Sequence, residues 1–208
     1  PYGTNWILNV DRRDTNQDRH QRSSHCVRVE LDGRAVAQKR IPDLAYLANQ
    51  RVVLIGAGSI GSVVAEQLCQ AQIGQLHIVD RDIVEAGNSV RWATGRDFAG
   101  LRKTEALYYY LSSNYPFTDV RGSSYPLGRS SQETGAKSET SFLQDLLSDA
   151  DLIIDASAAT LINNFLADMA RFQEIPFVWG NATPGVWGGL VGRVVPGKTP
   201  GCWRCHEF

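Results

Sequence analysis

Val53-Leu-Ile-Gly56-Ala-Gly58-Ser-Ile-Gly61-Ser-Val63 closes an apolar run with a Gly-x-Gly-x-x-Gly turn and opens a periodic one. Arg51 to Ile55 is apolar and β-branched enough for a buried parallel strand, and Val63, Val64, Ala65 and Leu68 recur as on a helix packed against a sheet. A strand, a glycine turn and a helix in that order make a phosphate cradle. The first glycine permits the tight turn, the second lets the backbone approach phosphate, and the third lets helix and strand pack closely. Phosphate would rest on the helix N-terminus, where free N–H groups and the dipole favour an anion. The turn alone does not say which nucleotide, because dinucleotide enzymes share it.

Outward from this turn, strand and helix patterns alternate. Leu76 to Val79 reads as a second strand ending at Asp80, and Lys103 to Ser113 as a helix stopping before Asn114-Tyr-Pro116. Gly122 to Thr140 reads as a surface loop, Phe142 to Leu147 as a short helix, and Leu152 to Ile154 as a buried strand ending at Asp155. Leu161 to Gln173 is an amphipathic helix, and Phe177 to Trp179 and Gly189 to Val195 are the last strands. The alternation predicts an α/β, Rossmann-like, doubly wound, mainly parallel sheet.

Residues 1 to 42 differ and are expected to form a separate segment, with 43 to 208 as the nucleotide-binding domain, C-terminally incomplete and cut from a longer or fused protein. Trp6 to Val10 suits a strand. Cys26 to Leu31, Asp32-Gly33 and Arg34 to Gln38 predict a β-hairpin with an Asp-Gly turn, and the charge-dense stretch Asp11 to Ser24 a solvated loop. Asp43 to Asn49 predicts a short helix.

The chain's 208 residues, with 43% hydrophobic and 21% charged, can bury a substantial core. A formal net charge of -1 gives no electrostatic reason to expect nucleic acid or an anionic membrane as partner. No apolar run approaches the roughly 20 residues of a membrane span, and the start lacks a signal-peptide pattern, so a cytoplasmic protein is expected. Four cysteines in this length do not make a disulfide scaffold. Cys202 and Cys205 read as thiols or metal ligands, and Cys69 and Cys26 as structural.

Asp80 ends the second strand about 20 residues after the glycine turn, where a carboxylate can accept from ribose hydroxyls. Asp82, Asn88, Arg91 and Lys103 follow. A nicotinamide cofactor needs little positive charge beyond its pyrophosphate. A triphosphate under attack needs much, and one amide with two fixed cations beside the cradle supplies it.

In these motifs the chain resembles the ThiF/MoeB/ubiquitin-activating enzyme superfamily from about Leu44 to Cys205. The resemblance rests on Gly56 to Ser62, Ile78-Val-Asp80-Arg-Asp82-Ile-Val84, Asn88-Ser-Val-Arg91, Lys103, Asn114-Tyr-Pro116, Asp151 to Asp155 and Cys202-Trp-Arg-Cys205. It implies binding of ATP with Mg2+ and adenylation of the C-terminal carboxylate of a ubiquitin-like or sulfur-carrier protein ending in Gly-Gly, with release of pyrophosphate. By resemblance, Gly56, Gly58, Ser59 and Gly61 cradle the nucleotide and Asp80 holds the ribose. Asn88, Arg91 and Lys103 contact phosphates, Asp82 or Asp155 serves the magnesium, and the protein is a homodimer. Cys202 and Cys205 form half of a structural Zn2+ site, whose second Cys-x-x-Cys this chain does not contain.

Two departures stand out. Ala158 occupies the place of a second acid after Asp155, and residues 1 to 42 read as a hairpin where the family has a short helix carrying an arginine into the partner's site, a role for which Arg19, Arg22 and Arg28 are the candidates. The glycine-rich crossing from Trp179 to Gly189 reads either as an ordinary loop between strands or as a channel for a substrate's extended C-terminal tail. Two other readings remain: a non-catalytic scaffold or recruiting subunit, and an NAD-dependent oxidoreductase.

Overall fold

The computed structural model describes the backbone of residues 5–13, 20–28, 33–128 and 138–206, and side chains from Gly33 onward within those spans, that of His206 excepted. The chain divides into two compact units, Pro1–Pro42 and Asp43–Phe208.

In the first unit, strands β1 (Asn5–Arg13) and β2 (His20–Arg28) pair antiparallel, Trp6 opposite Val27 and Arg13 opposite His20. Helix α1 (Arg34–Gln38) follows. A hairpin is present, but its strands are not the expected ones. Much of the expected loop from Asp11 to Ser24 is strand, and Arg34–Gln38, expected as the second arm, is helix because two alanines with Arg and Gln favour helix over a ladder. Asp32, Arg19 and the side chains of Arg22, Cys26 and Arg28 lie outside the described residues.

A 3-10 helix, Pro42–Asn49, spans the boundary, and the second unit continues as β3 (Arg51–Ile55), α2 (Ser59–Gln70), β4 (Gln75–Val79), a 3-10 helix at Ala86–Val90, α3 (Lys103–Asn114) and β5 (Asp119–Ser123). After these come α4 (Glu139–Leu147), β6 (Leu152–Asp155), α5 (Thr160–Phe172), β7 (Phe177–Ala182), β8 (Gly189–Val194) and a last 3-10 turn at Trp203–His206. The strands form one six-stranded sheet in the order β5-β4-β3-β6-β7-β8, parallel except for β8. This is the doubly wound sheet expected from the alternation.

Each central strand is buried on both faces, which is why it reads as an unbroken apolar run. Val52 and Leu54 of β3, with Leu76 and Ile78 of β4, pack under Ala65 and Cys69 of α2 and Ala106, Leu107 and Leu111 of α3. Val53 and Ile55 face the other way, toward Leu143 and Leu147 of α4 and Leu166, Met169 and Ala170 of α5. Burial pushes the Cys69 thiol up to about 12, consistent with a packing role.

Two elements depart from expectation. Residues 122 and 123, expected as the start of a loop, end the edge strand β5, in which Val120 alone is buried. Strand β7 runs on to Ala182 because β8 pairs with its whole length, and Gly192 leaves room for the Trp179 ring.

Registers place the site. Ile55 lies opposite both Val79 and Asp155, so β3, β4 and β6 end level, and the chain turns in opposite directions from β3 and β6. A ligand crevice belongs at this switch point, outside the carboxyl ends of the strands.

Candidate functional site: a cavity at the strand ends

A cavity of about 210 Å3 opens there, lined by Gly56 and Gly58 of the glycine turn, the acidic segment Asp80 to Asp82, Lys103, and residues following β5 and β6. Its lining mixes two chemistries. Asp80, Arg81, Asp82 and Lys103 are its polar side chains, while Val79, Leu127, Ile162 and Tyr125 supply its apolar wall. Tyr125 is held by stacking on Phe142, with ring centroids 4.1 Å apart and planes 3° apart. A cavity with an apolar wall and a few convergent polar groups suits a nucleoside carrying phosphate.

The turn is built by crowding. Gly56 has φ +89°, and a Cβ there would lie 2.7 Å from Ser157 N. Its N–H donates to Val79 O at 2.8 Å, so the turn is hung on β4. At Gly61, inside α2, a Cβ would come within 1.9 Å of the Gly56 carbonyl oxygen. The third glycine therefore lets α2 sit against β3.

Asp80 is held by its neighbours. One carboxylate oxygen accepts the Ala57 N–H at 2.7 Å and the other the Asp82 N–H at 2.7 Å. Each oxygen keeps lone-pair capacity for a hydroxyl. Asp82 accepts from Lys103 Nζ at 2.9 Å, and Lys103 N–H donates to the Asp82 carbonyl at 2.9 Å. An isolated antiparallel bridge between Ile83 and Arg102 draws these two segments together. This delivers Lys103, at the first position of α3, to the cavity with its side chain 12% exposed. Arg81 brings a second cation, its Nε 3.7 Å from Asp82 Oδ1.

Of the residues named from sequence, the structure gathers Gly56, Gly58, Asp80, Asp82 and Lys103 around the cavity. Ser59 and Gly61 lie behind it in the first turn of α2. Asn88 and Arg91 do not line it. Asn88 accepts the Glu85 N–H in a capping box, and Arg91 is exposed just past the 3-10 helix. Asp155 is turned away from the cavity altogether. It is fully buried, with one oxygen accepting the Ser157 N–H at 2.8 Å and the other the Asn163 side-chain amide. Burial pushes its carboxyl up, against the pull of those hydrogen bonds. Ala158 is exposed at φ +56°, between the cavity residues Ser157 and Ala159.

Sequence reasoning missed Arg81, the apolar wall, Asn163 and Trp92. Arg81 stood between two acids that were read, and Asn163 reaches Asp155 from helix α5 across a strand-to-helix turn, a contact no periodicity announces. Tyr125 and Leu127 carry no local signal.

At the far end of the sheet, Cys202 Sγ and Cys205 Sγ lie 3.7 Å apart on the last 3-10 turn. The Cys205 backbone N–H, with its thiol, holds Cys202 below the ordinary thiol value. Among the described residues, no three of His, Cys, Asp or Glu cluster to hold a metal, and no helix is long and apolar enough to cross a membrane.

The ThiF family profile matches residues 33–208. "Uncharacterized protein y4oA" of Sinorhizobium fredii is 40% identical over 99% of this chain and 35% of its own length. "Sulfur carrier protein ThiS adenylyltransferase" of Bacillus subtilis is 35% identical over 76% of this chain and 44% of its own. The chain thus spans a third to a half of these relatives. Among solved structures, that of Escherichia coli MccB with ATP shares the fold, with TM-score 0.65 and 22% identity over 83% of this chain and 47% of that one. The chain belongs to the ThiF family.

Proposed function

We propose that residues 43–208 form an ATP-dependent adenylation domain that activates the C-terminal carboxylate of a small carrier protein ending in Gly-Gly. One observation carries this reading: the glycine turn, the ribose-type acid Asp80 and the Asp82–Lys103 pair converge on one cavity. In this reading the base lies against Tyr125, Leu127 and Ile162, and the ribose hydroxyls donate to Asp80. The phosphates meet the N-terminus of α2 and Lys103. The substrate carboxylate attacks the α-phosphorus in line. The new carboxyl O–P bond forms as the bond to the β-phosphate's bridging oxygen breaks, and pyrophosphate leaves. Lys103 then offsets the charge gathering on the phosphates, the main lever a protein has in such transfers.

The residues present fit Mg2+ only sparely. Asp155 is fully buried and does not line the cavity, and Ala158 has no carboxylate, so Asp82 would hold the ion. Mg2+ commonly takes one or two carboxylates with phosphate oxygens and water, and when bound it neutralises charge on the triphosphate. This sparse acid set is the observation that favours the second reading, a non-catalytic family member that binds nucleotide without turning it over. No observation favours the oxidoreductase reading.

ATP–pyrophosphate exchange with a carrier protein ending in Gly-Gly separates the two. Exchange is expected, and nucleotide binding by calorimetry without exchange would establish the scaffold. Arg91 stands exposed outside the cavity; if it swings in to a phosphate when ATP binds, Arg91→Ala should raise the KM for ATP about fivefold to tenfold with a smaller effect on kcat. An unchanged KM would remove Arg91 from the site.

Cys202 and Cys205 also fit a metal. A tetrahedral Zn2+ with Zn–S of about 2.3 Å sets its thiolates about 3.8 Å apart, close to the 3.7 Å observed. They would supply two of four ligands. Cys202→Ser should lower zinc affinity at least about tenfold in native mass spectrometry. Equal zinc retention would leave the pair as plain thiols.

A further inference from the structure

Ala57, at the heart of the glycine turn, is held from two sides. Its N–H donates to Asp80 at 2.7 Å, and its carbonyl accepts from the indole Nε1 of Trp92 at 2.7 Å. Both partners of the second bond are interior, Ala57 being 0% and Trp92 6% exposed. A second tie runs beside it, from Ala93 N–H to the Ser62 hydroxyl at 3.4 Å, with Ser62 fully buried in the first turn of α2. The segment after Arg91 is therefore fastened to the glycine turn.

The bond from Trp92 sets more than a distance. The Ala57–Gly58 peptide is trans, and across a trans peptide the carbonyl and the following N–H point in opposite directions. Drawing the Ala57 carbonyl toward Trp92 turns the Gly58 N–H the other way, and Gly58 lines the cavity. Glycine, without a Cβ, resists rotation of this plane least of all residues. With the plane reversed, a carbonyl oxygen would face the anion in place of an N–H donor, replacing attraction by repulsion. An external hold on the Ala57 carbonyl is what keeps one orientation.

We propose that Trp92 is a positioning residue for phosphate binding: its indole N–H fixes the Ala57–Gly58 peptide plane so that the Gly58 N–H is presented to a nucleotide phosphate. The inference rests on the nucleotide reading above. Trp92 touches no ligand in this scheme and acts through the backbone of the turn. Its influence falls on the phosphate and leaves the nucleoside alone, because the apolar wall and Asp80 hold the nucleoside by separate contacts.

The test removes the donor and keeps the ring. Trp92→Phe deletes the N–H with some loss of packing, and 3-benzothienylalanine at position 92 deletes it with the indole's size retained. Titration calorimetry with ATP and with adenosine is the first measurement. Both variants should bind ATP about tenfold more weakly, the effect of stranding one buried acceptor, while adenosine affinity stays within about twofold. Unchanged ATP affinity in the benzothienyl variant would overturn the proposal, and so would equal losses for ATP and adenosine, the pattern of a merely structural residue. A crystal structure of the benzothienyl variant without nucleotide is the second. The Ala57–Gly58 plane should be rotated or split between two orientations, and one unchanged orientation would overturn the proposal. A wild-type protein that binds neither ATP nor adenosine would sink the proposed function, and the peptide plane would still decide the role of Trp92.

Discussion

Gly61→Ala should remove nucleotide binding and cost the fold about 3 kcal/mol, the upper range for forcing a methyl into a packed site. The added Cβ would lie 1.9 Å from the Gly56 carbonyl oxygen and 2.8 Å from its carbon. Gly56 has little room to retreat, since its N–H is tied to the Val79 carbonyl and even a Cβ on it would meet the backbone of Ala156 and Ser157. Helix α2 must therefore lift from β3, which breaks the level alignment of strand ends that forms the cavity. For a domain of this size that is a fall in melting temperature of about 6–12 °C, read by calorimetry, with ATP affinity down more than about a hundredfold. Gly58→Ala is the control. A Cβ there meets nothing within 4 Å, so the melting temperature should hold while the methyl stands where phosphate would come close. Loss of ATP affinity without loss of stability at Gly58, and loss of both at Gly61, would separate a glycine kept for ligand from one kept for packing. A Gly61→Ala protein as stable as the wild type would refute the crowding argument.

The same contrast explains which features are legible in the sequence alone. The glycine turn, the strand ends at Asp80 and Asp155 and the pairing of α2 with β3 follow from local rules, because buried parallel strands are apolar throughout and the turn needs glycine at fixed offsets. The N-terminal hairpin was misplaced because its polar strands, rich in Arg, Asp and Ser, carry no alternating pattern to set a register. Strand β5 escaped notice because an edge strand with one buried residue looks like a loop. Within the site, residues joined by sequence spacing were legible and those joined by tertiary contact were not. Trp92 reaches back 35 positions to Ala57, and nothing local announces it. Asp155 shows the opposite failure. It ends a strand beside the glycine turn, the expected place for a metal carboxylate, yet it is fully buried off the cavity, where Asn163 and Ser157 N–H groups hold it. Position on the sheet was legible; the direction of the side chain was not.

Lys103→Ala is expected to lower the exchange rate about 10²- to 10³-fold, the loss typical of deleting one preorganised charge at a transition state. The side chain is suited to that task because little of its ordering remains to be done when ATP arrives. It is only 12% exposed, its nitrogen sits 2.9 Å from Asp82, and its own backbone is tied to the Asp82 carbonyl. The ion pair itself contributes little to the fold, since Asp82 is 55% exposed and a screened pair of this kind is worth about 1 kcal/mol or less. Activity should therefore fall by orders of magnitude with the melting temperature lowered by no more than about 4 °C. Lys103→Arg should recover only part of the rate, because a planar fork does not occupy the place of a compact ammonium held against one carboxylate. Asp82→Asn divides the remaining possibilities. If Asp82 serves only to steer Lys103, its loss should raise the KM for ATP and leave the magnesium dependence of exchange unchanged. If it also holds the metal, the magnesium concentration needed for half-maximal exchange should rise with it. A rate that survives Lys103→Ala would mean that the charge on the departing pyrophosphate is met elsewhere, and with it the Asp82–Lys103 pair would lose its place at the centre of the site.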